Sequence, residues 1–184
     1  MTRKRSNAAV IICLTFFTLL FSTGCGKDAD LPEFSDETMF TLYQSQPWIY
    51  ETPNLTLKSD GTLIVLSKMT EIGREQISEE KMEDVKKLFN PEKVYTMDVG
   101  REDERTDGTS SYIILYDKDG NEIKIGGYEL EGVDGFKSYF TKLYNLLQDE
   151  YTLAFHNDMM KCSSEGKSYW ETYVKDKYKV IYPE

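Results

Sequence analysis

Few residues in this chain have the type and spacing that catalysis requires. His156 is the sole histidine, which removes most zinc sites and any nucleophile built on more than one imidazole. Cys162 lies close to it in sequence, but no motif surrounds the two, so no nucleophile–base couple is expected from them. Acids are plentiful, with 32 Asp and Glu in the chain, so two carboxylates for glycoside hydrolysis are available by composition; no spacing singles out a pair. The run Asp117-Lys-Asp-Gly-Asn-Glu122 has the oxygen donors and the glycine of a calcium loop. Its spacing fails. With Gly120 at the glycine position, Leu115 falls at the first ligand and Gly126 where the bidentate glutamate belongs. Gly126-Gly127 lacks the following helix entry of a phosphate-cradling loop. No catalytic residue, metal ligand or cofactor is therefore assigned.

Binding chemistry has one stronger candidate. The segment 98–109 interleaves Asp98, Glu102, Asp103, Glu104 and Asp107 with Arg101 and Arg105. Exposed charges need no partner beyond water. Loops on a rigid scaffold nevertheless carry much of protein recognition, so this segment reads as a contact loop for a protein or peptide partner, or as a loose cation site. Tyr169, Trp170 and Tyr173 follow helical spacing near the C-terminus, with Tyr178 and Tyr182 beyond. Their size favours core packing; the alternative is an exposed aromatic face that grips glycan or peptide. Trp48 and Tyr50 allow the same two readings, and packing is again expected.

The charge balance narrows the partners. The chain has 184 residues and a formal net charge of −10. Residues 1–24 hold Arg3, Lys4, Arg5 and no acid, so the remainder stands at −13. A domain that acidic is repelled by phosphate backbones, and no nucleic-acid partner is expected.

The N-terminus carries the clearest motif. Met-Thr-Arg-Lys-Arg is followed by an uncharged stretch from Ser6 to Gly24, with a dense apolar centre from Ala8 to Phe21. That is the layout of a secretory signal, and the apolar centre is shorter than the ~20 residues of a spanning helix. It ends in Ser22-Thr23-Gly24-Cys25, which resembles the lipobox of bacterial lipoproteins. Ser22 stands where that family usually has leucine. The resemblance covers residues 1–25 and implies that Cys25 receives a thioether-linked diacylglycerol and becomes the first residue after cleavage. The expected result is a lipid-anchored protein on the extracytoplasmic face of a bacterial membrane. Several acyl chains on one residue anchor stably, at about 0.8 kcal/mol per buried methylene. A plain membrane anchor and soluble secretion are the rival readings, and both also place the domain outside the cytoplasm. With Cys13 cut away and Cys25 acylated, Cys162 is left alone and no internal disulfide forms.

The domain division follows: a signal peptide at 1–24, a short tether at 25–34, and one globular domain at 35–184. Within that domain, 40% hydrophobic residues suffice for a core. Ser35 followed by Asp36 and Glu37, then Met39, Phe40, Leu42 and Tyr43, predicts a short helix ending before Pro47. Asp60-Gly61 between β-rich runs predicts a hairpin over 54–66. Ser78, Glu79 and Glu80 open a helix carrying Met82, Val85, Leu88 and Phe89, stopped by Pro91. A short strand is expected at 94–97. A second hairpin spans 111–125 across Asp117–Asn121, and a second helix carries Phe136, Tyr139, Phe140, Leu143, Leu146 and Leu147 toward Phe155. The order hairpin–helix occurs twice, which predicts an α+β fold: an antiparallel sheet built from two ββα-like units, with helices packed on one face.

Over about 54–149 this order resembles that of small bacterial proteinase-inhibitor domains of the emfourin type, as a pattern without a diagnostic motif. The resemblance implies inhibition or binding, although fold alone does not set function. The expectation is a non-enzymatic binding or interaction domain. The alternative is a carboxylate-dependent enzyme acting on cell-wall or glycan material, which requires a concave pocket with two facing acids.

Overall fold

The computed structural model describes residues 31–45, 53–67, 69–99, 109–128 and 134–178. The fold is α+β, built on a six-stranded antiparallel sheet. Its strands are β1 (Thr38–Ser45), β2 (Asn54–Lys58), β3 (Thr62–Ser67), β4 (Thr70–Gln76), β5 (Ser110–Tyr116) and β6 (Glu122–Tyr128). They lie side by side in the order β4-β3-β2-β1-β5-β6. The helices are α1 (Glu79–Leu88), α2 (Pro91–Tyr95), α3 (Asp134–Leu147) and α4 (Glu150–Glu165), followed by α5 (Lys167–Tyr169), a π-helical turn (Trp170–Val174) and α6 (Lys175–Tyr178).

Both predicted hairpins form, each around a glycine in the left-handed region, Gly61 at φ 86° and Gly120 at φ 82°. In the second turn, the Asp117 carboxylate accepts from the Asp119 and Asn121 amides at 2.9 and 2.8 Å. The acid that suggested a calcium ligand is thus the staple of a turn. The α1 signals also hold. Ser78 accepts from the Lys81 amide at 3.2 Å, and Met82 and Val85 are buried.

Residues 38–45 form a strand, not the expected helix. Met39, Phe40, Leu42 and Tyr43 suit a helical stripe, but Phe40 and Leu42 also alternate with Thr41 and Tyr43. Pairing to β2 on one side and β5 on the other decides for the strand. The capping signal is real but ends in a turn: the Ser35 hydroxyl accepts from the Glu37 and Thr38 amides at 3.1 and 3.2 Å, and no helix follows. Residues 91–95 are helical where a strand was expected over 94–97. Pro91 both stops α1 and occupies the first turn of α2, and Asn90 caps it by accepting from the Lys93 amide at 2.9 Å. The long helix through Phe155 is two helices, because Asp149 and Thr152 form a capping box that restarts the chain. The first hairpin gains a further partner, β4, before its helix. The sheet therefore holds a four-stranded and a two-stranded portion, not two equal ββα units.

One face of the sheet carries the main core. Phe40, Leu42, Leu55, Leu57, Leu63, Val65, Ile113 and Leu115 meet Met82, Val85, Phe89 and Val94 from α1 and α2, and Phe136, Phe140, Leu143 and Leu147 from α3. Each such side chain taken from water contributes about 1.5–3 kcal/mol. The Tyr139 hydroxyl donates to the Leu88 carbonyl at 2.9 Å, joining α3 to the end of α1. On the opposite face, Thr41 is fully buried between Thr56 and Ile114. Its hydroxyl lies 2.6 Å from that of Thr56 and 2.8 Å from that of Tyr116, so the buried oxygen is satisfied.

The C-terminal helices build a second, separate cluster: Phe155, Met159, Cys162, Trp170, Val174 and Tyr178. The π turn keeps Trp170, Val174 and Tyr178 on one inward face. Ile72 and Tyr151 are the partly buried side chains that pack against both clusters. Glu33 and Phe34, at the end of the expected tether, lie along the β5–β6 turn: Phe34 bridges Asp117, and the Lys118 ammonium sits 2.7 Å from Glu33. No helix among the described residues is long and apolar enough to cross a membrane.

Candidate functional site

Strand register sorts the connections of the fold to one end or the other. Ser45, at the end of β1, pairs with Ser110, at the start of β5. Ser110 pairs in turn with Tyr128, at the end of β6. Asn54 opens β2 at that same end, since Leu42 pairs with Leu55. The chain therefore enters or leaves segments 46–52, 100–108 and 129–133 at one end of the sheet. The two tight turns, at Asp60-Gly61 and Asp117–Asn121, close the other end. Met97 and Val99, just ahead of the charged segment, pack against the main core, and Ser110 begins a paired strand. Both stems of the segment are thus fixed.

Of the candidate contact residues, Asp98 is described and is exposed. Arg101, Glu102, Asp103, Glu104, Arg105 and Asp107 lie outside the described residues, as do the lipidation candidate Cys25 and the aromatic residues Trp48, Tyr50 and Tyr182.

The structure brings together two acids that the sequence did not pair. Glu75 on β4 hydrogen-bonds through its side chain to Asp149, the N-cap of α4. Burial is the main reason that the Glu75 carboxyl is pushed up to about 7, reinforced by its bond to Asp149 and that neighbour's charge, while Lys81 pulls the other way. Burial alone would raise Asp149 too. Its bonds to Glu75 and to Thr152 outweigh burial and hold it below the usual carboxylate range. Below about pH 7 the proton of the pair therefore rests chiefly on Glu75, and Asp149 carries the charge. Around them, the Lys81 ammonium reaches the Gln148 carbonyl at 3.5 Å, and the Tyr151 hydroxyl donates to the Ile72 carbonyl at 2.7 Å. Sequence reading missed this pair because β4, Thr-Glu-Ile-Gly-Arg-Glu-Gln, is too charged to stand out as a strand. The available signal was the Asp149-x-x-Thr152 cap.

Neither described cavity contains the pair. One, of about 350 Å³, opens beside the first turn and is lined by Asp60, Gln76, Glu79 and Glu83, among others. The other, of about 610 Å³, lies on the outer side of α3 between Lys137, Ser138, Thr141 and Lys142. Among the described residues, no group of three or more His, Cys, Asp or Glu is placed to hold a metal ion.

Cys162, Trp170 and Tyr178 resolve as packing. Cys162 is fully buried, and burial, with Asp158 and Glu165 nearby, raises its thiol pKa. A thiol in that setting is a poor nucleophile. Trp170 and Tyr178 are core residues, as expected of the C-terminal aromatics, while Tyr173 is 64% exposed, its ring tilted against that of Tyr169 with centroids 4.9 Å apart.

No family model, curated protein or solved structure matches this chain.

Proposed function

We propose that this protein is a lipid-anchored bacterial binding domain, held at the extracytoplasmic face of the membrane through Cys25 and engaging a protein or peptide partner through the charged loop at 98–107. The observation that carries the reading is the gathering, at one end of a rigid sheet, of the strand ends that bear segments 46–52, 100–108 and 129–133. Recognition proteins commonly use such loop-bearing ends, because the scaffold fixes the stems while the tips vary. The interleaved acids and arginines suit a partner surface of mixed charge.

The rival reading, a carboxylate-dependent enzyme on cell-wall or glycan material, draws less support. Glycosidases hold their two carboxyls about 5–9.5 Å apart to admit substrate or water. Asp149 caps α4 and accepts from the Thr152 amide at 2.8 Å, and Glu75 is engaged with Asp149, so neither stands facing a substrate cleft.

The test is affinity capture from detergent-solubilised native membranes with the full chain and with a variant in which residues 100–107 are replaced by a short Gly-Ser linker, leaving the core-packed Val99 in place. A partner retained by the first and lost by the second is the expected result. Capture of no partner by either, or equal capture by both, would overturn the loop's assigned role.

A further inference from the structure

The outer face of α3 carries cations and no acid. From Gly135 to Leu147 the helix runs Gly-Phe-Lys-Ser-Tyr-Phe-Thr-Lys-Leu-Tyr-Asn-Leu-Leu, without a carboxylate. Phe136, Phe140, Leu143 and Leu147 turn to the main core, which leaves Lys137, Ser138, Thr141 and Lys142 exposed on the other side. At about 100° per residue, the order round the helix is Lys137, Thr141, Ser138, Lys142, so two hydroxyls lie between two ammoniums. These four residues line the cavity of about 610 Å³, a volume within the range of ligand-binding clefts. Neither lysine makes an ion pair or hydrogen bond among the described residues. On α1, by contrast, Lys86 and Lys87 are paired with Glu83 and Asp84 at 3.4 and 2.9 Å.

This helix lies toward the loop-bearing end of the sheet. The Tyr144 hydroxyl donates to the Pro53 carbonyl at 2.9 Å, just ahead of β2. Near the end of β6, a β-carbon added at Gly126 would stand 2.9 Å from the Phe136 ring. Glu33 and Phe34, through which the chain enters the domain, lie at the opposite end against the β5–β6 turn. The basic face thus adjoins the stems of the loops and stands away from the side on which a lipid-anchored chain arrives.

We propose that the outer face of α3 receives a carboxylate-rich segment of the protein partner, with Lys137 and Lys142 as its anion contacts and Ser138 and Thr141 as hydrogen-bond donors between them. The proposal rests on the binding role given above and names the chemistry of what is bound. Charge complementarity carries it. The chain has a formal net charge of −10, so most of its surface repels an acidic segment, and an acid-free face with two uncommitted ammoniums attracts one and fixes where it lands. Partner carboxylates are favoured over lipid phosphates because the face lies at the end remote from Glu33 and Phe34.

Fluorescence anisotropy with a labelled hexaglutamate peptide tests this on the full chain in neutral detergent. Wild type should bind the peptide, and Lys137→Gln with Lys142→Gln should weaken binding about tenfold or more. Both side chains are exposed, so the fold should survive the change. Lys86→Gln with Lys87→Gln, on α1, should leave binding as it was. No binding by wild type, or equal weakening in the two double variants, overturns the proposal. So does displacement by inorganic phosphate as effective, at matched ionic strength, as displacement by unlabelled peptide, because the face would then belong to phosphate groups. Should the α3 variant not fold, amide shifts of the wild type decide: peptide must move residues 137–142 more than 79–88, and the reverse ends the idea. None of these measurements involves residues 100–107, so the loop's role and this one stand or fall separately.

Discussion

Tyr151 reaches from the first turn of α4 to the edge of the sheet and occupies the space that Gly73 leaves empty. Its hydroxyl donates to the Ile72 carbonyl at 2.7 Å, and a β-carbon added at Gly73 would stand 2.6 Å from its ring. The ring is stiff and its far end is pinned, so it cannot yield cheaply. Gly73→Ala should destabilise the domain by about 1–3 kcal/mol, the usual cost of overpacking. Tyr151→Phe, which loses only the hydrogen bond, should cost about 1 kcal/mol. Urea denaturation of both variants checks the order, and a neutral Gly73→Ala would show that the contact is slack.

Thr41 should be intolerant of a shape-preserving change. Thr41→Val keeps the volume but strips Thr56 of its 2.6 Å partner and Tyr116 of its 2.8 Å partner. An orphaned buried hydroxyl costs about 1–3 kcal/mol. Adding Thr56→Val should cost less than the sum of the two single changes, because it removes the orphan. A double-mutant cycle measures this coupling, and strict additivity would refute it.

Asp158 gives the C-terminal cluster an acid limit. Burial would raise its pKa, but bonds from Lys177 at 2.8 Å and Tyr178 at 2.9 Å outweigh that and depress it below 3.8. A depressed carboxyl contributes stability that is present above its unfolded value and is lost as pH falls through the folded one. Near-ultraviolet circular dichroism from the buried Trp170 and Tyr178 should therefore fade below about pH 4. Asp158→Asn should lower the signal's thermal midpoint at neutral pH and flatten the acid limb. An unaltered acid limb would assign the transition elsewhere.

Cys25→Ala tests the proposed anchor. The variant should incorporate no labelled fatty acid and should either leave the membrane fraction or accumulate with its leader intact. Unchanged labelling and processing would refute lipidation at this position.

Local chemistry made the two hairpins, α1 and α3 legible in the sequence. Asp60-Gly61, Asp117–Asn121 and Ser78 each act within a few residues of themselves, so their neighbours suffice to read them. Residues 38–45 were not legible, because a stripe shared by helix and strand was decided by β5, some seventy residues away in sequence. The Glu75–Asp149 pair was hidden for the same reason: two ordinary surface-type acids acquire their chemistry only when β4 and α4 meet. The charged segment after Asp98 stood out by composition alone, and composition says nothing of what it touches.

The position of β1 sets an order on biogenesis. Among the described residues the first strand to emerge, β1, lies in the middle of the sheet, between β2 and β5. A nascent chain can zip β1 to β4 as a meander, yet the flank of β1 that will receive β5 stays bare until residue 116 has followed. During that interval the growing polypeptide displays an unmet row of amides and carbonyls, a template for rogue association. Synthesis or translocation that stalls short of β5 should therefore yield aggregates, not a smaller soluble domain.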